Sequence, residues 1–198
     1  MPVTLALLIL AARFAWALGR DAESGQSIAL RRAWVKRILA APGSEILAIQ
    51  TVRNSMMAAS LMASTAVLAL MGVISIGHSQ LGAADALRDW MGVGANLKLL
   101  LPLALLAACV VLFSKAVRLY HRAGYSLGLS RRAAGSDELS DIAEAAASAE
   151  LTRAAHLYRN GWRTFYAAIA TAAWLMGPWM MLVTTIIIVA IDIAAKIE

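Results

Sequence analysis

The chain has few of the side chains that catalysis or metal binding draws on: among 198 residues there is one cysteine, three histidines and twelve carboxylates. A lone Cys109 can neither close an intramolecular disulfide nor supply a thiolate cluster for zinc or for iron and sulfur. No H-E-x-x-H, Cys-x-x-Cys or G-x-x-x-x-G-K-[ST] motif occurs, and no serine nucleophile signature is found. No cofactor, metal or catalytic residue is therefore expected, and the chain is not read as an enzyme. Charge is also scarce, at 15% of residues, and no Asp or Glu falls within the long apolar runs. That argues against transport coupled to membrane carboxylates.

What is abundant is apolar surface: 61% of residues are hydrophobic and the mean hydropathy is +0.69, whereas an average soluble domain is about half apolar and a quarter charged. The formal charge of +6 is interrupted by long apolar stretches instead of forming one basic face, so nucleic acid is not expected as a partner. The longest uncharged run, Thr164 to Ile191, has 28 residues, or about 42 Å of helix against a hydrocarbon core of about 30 Å. Asn54 to Gly77 supplies 24 more, and Leu99 to Ser114 supplies 16, bracketed by Lys98 and Lys115, whose stems can snorkel. Pro2 to Gly19 is apolar apart from Arg13. No basic residue precedes that run, as a signal peptide requires, so it is expected to be a retained first helix.

These runs predict an all-α, polytopic membrane protein forming a single membrane domain over 1–198. It is a four-transmembrane-helix bundle, with spans at 2–19, 54–77, 97–117 and 164–191 and cytoplasmic helical segments at 26–53 and 137–163. Of 18 basic residues, 14 lie between Arg20 and Arg53 or between Lys115 and Arg163, two segments that this topology places on one side, so the positive-inside rule puts those segments in the cytoplasm and both termini outside. A bacterial inner membrane is the expected location.

Between the spans, Gln26 to Ala41 reads as a helix ended by Pro42-Gly43, with Ile28, Leu30, Trp34, Val35, Ile38 and Leu39 on one side and Arg31 intruding there. Ser44 is a candidate N-cap for a helix running to Gly77. In Asp137 to Asn160 the apolar face changes direction, from Leu139, Ile142, Ala146 and Ala149 to Leu151, Ala155, Tyr158 and Trp162, which predicts a kink or break at 149–151. The outer connection is short, with a helical turn or two expected at Ala83 to Trp90.

Ala59, Ser60, Ala63 and Ser64 recur at four-residue spacing, a pattern that lets membrane helices approach closely and is expected to form a helix-packing surface. Arg53, Lys115, Arg118, Arg122 and Arg163 lie near the inner ends of three spans and are candidates to ring an anionic lipid headgroup. Arg13 is expected to snorkel or to pair with a carbonyl. A metal site on His121, His156 and Glu150 is weighed against solvated histidines, and Gly177-Pro178 invites a kink in the last span.

Several stretches together resemble an uncharacterised bacterial membrane family, DUF599. They are Arg53-Asn54 with Ala63-Ser64-Thr65, the run Leu97-Lys98-Leu99-Leu100-Leu101, and Phe113, Lys115, Tyr125 and Gly128. Asn160-Gly161-Trp162-Arg163-Thr164-Phe165-Tyr166, then Ala173-Trp174 and Gly177-Pro178-Trp179, complete the series. The resemblance implies a four-span helical membrane protein and carries no activity.

The leading functional expectation is a non-catalytic accessory or assembly subunit that packs against another integral membrane protein or against itself, among membrane lipids that include anionic phospholipid. One alternative is a small transporter or channel with a polar path over Asn54, Ser60, Ser64, Thr171, Thr184 or Thr185. The other is a lipid-acting membrane enzyme gathering Arg53, Asn54, Arg118, Tyr125 and Arg163 around a lipid phosphate.

Overall fold

The computed structural model describes residues 2–20, 25–41, 43–81, 93–128 and 137–194, and every regular element among them is helical. These are α1 (Pro2–Arg20), α2 (Gly25–Ala40), α3 (Glu45–Leu81), α4 (Val93–Gly128), α5 (Asp137–Ala172), a short 3₁₀ helix (Ala173–Leu175) and α6 (Pro178–Ala194). Among the described residues, two stretches are long and apolar enough to cross a membrane: Ile46–Gly77 in α3, with mean hydropathy 2.0, and Leu97–Gly128 in α4, with 2.4. The apolar parts of α1 and α6, Pro2–Ala12 and Pro178–Ile191, are shorter. The turn expected at 83–90 and the side chain of Arg13 lie outside what is described.

The chain divides into two compact units. The first contains Met1–Arg20, Ser64–Val110 and Gly161–Glu198. Within it α1 packs on α6. Gly77 and Leu99 bring α3 and α4 into close approach: a Cβ at Gly77 would stand 2.7 Å from Leu99 Cδ1, so only glycine fits without moving the leucine. The Cys109 thiol donates to the Gly161 carbonyl at 3.7 Å and ties α4 to α5. Lys98 does more than extend to solvent, because its Nζ lies 5.7 Å from the centre of the Trp174 ring. Thr171 and Thr185 are buried with their hydroxyls turned back on their own helices, Thr171 to Ala167 and Ala168 and Thr185 to Met181. That is how a polar side chain is satisfied among apolar ones.

Inside the expected span 164–191 the helix is interrupted at the Gly177-Pro178 pair, where a kink is expected. α5 ends at Ala172, the 3₁₀ helix follows, and α6 begins at Pro178. Gly177 has φ +144°, a conformation that side-chain-bearing residues rarely adopt, and Pro178 has no N–H for a helical ladder, so hydropathy continues across a point where the helix does not.

The second unit contains Asp21–Ala63 and Val111–Asn160. Four helices meet in its core: Val35, Ile38 and Leu39 come from α2, and Ala48, Val52 and Ala59 from α3. Ala116, Tyr120, Ala123 and Leu127 from α4 face Ala147, Leu151 and Ala154 from α5. Alanines at the contacts let the axes come close, while Phe113 and Tyr158 fill the wider gap edge to face at 5.7 Å. α2 follows its expected amphipathic face at Val35, Ile38 and Leu39, whereas Leu30 stays exposed.

Two local expectations change. α5 passes through 149–151 without a break. Its buried line is Ala143, Ala147, Leu151 and Ala154, at steps of three and four, while Ile142 is 59% exposed. Of the residues in the two expected faces, Leu151 lies on this line, whereas Ala146, Ala149 and Ala155 do not. Ser44 precedes α3 and its carbonyl accepts from the Ala48 N–H at 3.1 Å, yet its hydroxyl donates backward to the Ile38 and Ala41 carbonyls at 2.7 and 2.6 Å. It closes the C-terminus of α2 instead of capping the amides of α3.

Candidate functional site

In the second unit, α3 and α4 leave a groove of about 300 Å³ between them. α3 presents Ile49, Val52, Arg53 and Met56, and α4 presents Tyr120, His121, Gly124 and Tyr125. The spacing explains why these residues converge, since 49, 52, 53 and 56 share one helical face, as do 120, 121, 124 and 125. Val52 and Tyr120 are buried and form the floor, whereas Arg53 and His121 are exposed at the rim and Tyr125 is 77% exposed. Gly124 keeps the groove open, because nothing lies within 4 Å of where its Cβ would be. Among the described residues, no carboxylate lines the groove. Chemically it is an apolar trough with two nitrogen donors on its edge.

The neighbouring charges are engaged differently. Arg122 Nε sits 2.9 Å from Glu150 Oε1, joining α4 to α5, and Glu150 is nearly buried, with Oε2 lacking a hydrogen-bond partner. Arg159 Nη2 donates to His156 Nδ1 at 2.8 Å. Among the described residues, no three His, Cys, Asp or Glu side chains gather to hold a metal ion. The three groups weighed as metal ligands have separate surroundings: His121 in the groove, His156 on Arg159 and Glu150 on Arg122.

Of the five basic residues expected to ring a headgroup, Arg53 lines the groove, Arg122 is held by Glu150, and Lys115 and Arg118 are exposed elsewhere on α4. Arg163 is half-buried and belongs to the first unit. His121, Gly124 and the floor residue Tyr120 were not among those candidates. The one-turn spacing of Tyr120-His121 and Gly124-Tyr125 is the sequence signal that marks this face.

Within the proposed packing set, Ala59 is buried, Ala63 half-buried, and Ser60 and Ser64 exposed. The buried line of α3 runs through Val52, Ala59, Ala66 and Val73, every seventh residue. At about 100° per residue, Ser60 and Ser64 lie more than 90° around the helix from Ala59.

A second, larger cleft of about 620 Å³ lies between α2 and α5 in the same unit. Arg32 and Lys36 line it from α2, and Asp141, Glu144 and Arg153 from α5. Ser148 at its wall donates to the Ala145 carbonyl at 3.0 Å. Three cations and two carboxylates face one another there, so an anion would meet like charge as well as opposite charge.

The family model described as "Protein of unknown function, DUF599" matches residues 1–195, nearly the whole chain. The chain belongs to the DUF599 family. No curated protein and no solved structure matches it. The match extends to the N-terminal stretch before Arg53, so this DUF599 chain carries the family pattern through both compact units.

Proposed function

We propose that this protein is a multi-pass protein of the bacterial inner membrane. In this reading it acts as a non-catalytic accessory or assembly subunit, packing a helix face against another integral membrane protein or a second copy of itself. The observation that carries the reading is the face of α3. In its 32-residue apolar stretch only 17% of the most hydrophobic window is buried within the chain. Met57, Leu61, Leu68 and Met71 are more than half exposed, with Ser60 and Ser64 exposed beside them. Each large apolar side chain left in water forfeits about 1.5 to 3 kcal/mol, so this face belongs in lipid or against protein. Small hydroxyl residues set among apolar ones favour a helix neighbour over lipid alone. The apolar helices α1, α3, α4 and α6 supply the membrane segments, with the N-terminus outside and the two basic segments in the cytoplasm.

The test is cross-linking in native membranes from Ser64→Cys and Leu68→Cys in a Cys109→Ala background. A discrete adduct, either a dimer of this chain or a one-to-one adduct with one membrane protein, is expected from these positions and not from Ala59→Cys. Absence of any protein adduct from Ser64 and Leu68 assigns the face to lipid and overturns the subunit reading.

A further inference from the structure

We infer that the groove between α3 and α4 seats one anionic phospholipid, its phosphate held by Arg53 and His121 and the start of one acyl chain passing Met56 toward the uncharged run of α3. The inference rests on the membrane reading above but not on the subunit reading. Three observations support it. The groove carries positive and hydrogen-bond-donating groups with no carboxylate among its walls, and Arg53 has no acidic partner among the described residues. The buried carboxylate among the described residues, Glu150, is occupied by Arg122.

A charged rim next to Met56, which leads from Arg53 into the uncharged run of α3, matches an amphiphile better than a free anion, which would gain nothing from Met56. The chain position of the rim is also that of a headgroup. Arg53 directly precedes 24 uncharged residues of α3, and His121 lies six residues, about 9 Å, beyond Lys115 at the end of the uncharged run of α4. The polar layer of a bilayer is about 5 to 7 Å deep on each side, which both side chains can reach.

Open space beside Gly124 supplies a steric probe that leaves every charge in place. The purified full chain is placed in phosphatidylcholine nanodiscs containing phosphatidylglycerol, and retained lipid is read by native mass spectrometry. Wild type is expected to retain phosphatidylglycerol in preference to phosphatidylcholine, with about one lipid per chain. Arg53→Gln lowers that retention about fivefold, the factor for one cation beside an anionic headgroup. Gly124→Leu lowers it comparably by filling the groove, while Arg32→Gln, an equal charge loss in the other cleft, leaves it unchanged.

Retention by Gly124→Leu equal to wild type overturns the seat, and so does equal loss in Arg53→Gln and Arg32→Gln, which assigns the effect to diffuse charge. If Gly124→Leu does not fold, Met56→Trp fills the same groove from α3 and is read in the same way. Millimolar inorganic phosphate is expected not to displace the lipid; displacement by phosphate assigns the site to the free anion and rejects the lipid. Because lipid is read on the isolated chain and packing by cross-linking in cells, the two proposals fail separately.

Discussion

Arg122 Nε and Glu150 Oε1 lie 2.9 Å apart across α4 and α5, and the two ends of this pair differ sharply in exposure: the arginine side chain is 65% exposed and the glutamate 11%. The carboxylate is therefore the costly partner, since its Oε2 is buried without a hydrogen bond and its charge leans on one guanidinium.

Arg122→Ala leaves that carboxylate alone and is expected to cost about 1 to 3 kcal/mol of stability. Adding Glu150→Leu in the same chain removes the stranded charge and restores much of the loss. Thermal unfolding of both single variants and the double variant in detergent checks this; additive losses would mean that the pair is not coupled.

Ala59→Leu forces a large side chain into the core where α2, α3, α4 and α5 meet, at a cost of about 1 to 3 kcal/mol. Ser64→Leu is expected to leave the stability of the isolated chain within about 0.5 kcal/mol, because Ser64 is exposed. The two melting temperatures distinguish the buried line of α3 from its outer face.

Gly177→Ala meets no atom within 4 Å, so its penalty is purely conformational, about 1 to 3 kcal/mol at φ +144°. Gly72→Ala also meets open space but sits inside α3, where alanine is the better helix former by about 1 kcal/mol. The two identical substitutions should shift the melting temperature in opposite directions.

Ser24→Cys and Ser136→Cys, in a Cys109→Ala background, are expected to be protected from a membrane-impermeant thiol reagent in intact cells, whereas Gly82→Cys reacts. The reverse pattern would invert the orientation. Cys109 itself should be silent to the reagent, being fully buried with its thiol on the Gly161 carbonyl.

The helical class, the two long apolar helices and the family membership were legible in the sequence, because hydropathy over tens of residues and Gly-Pro punctuation are local properties of the chain. α2 was legible for the same reason, its apolar and basic sides alternating at helical period. What tertiary structure alone decided is which small residues make contact. A serine and an alanine look alike to a spacing rule, yet Ala59 is buried and Ser60 and Ser64 are exposed, because burial depends on which direction a neighbouring helix approaches from. The continuity of α5 through 149–151 was settled in the same way, by a contact line through Ala147, Leu151 and Ala154 on which only Leu151 of the expected faces falls. The groove is the clearest case: Arg53 and His121 stand 68 positions apart in the chain, and only the packing of α3 against α4 sets them on one rim, with Gly124 leaving the space between.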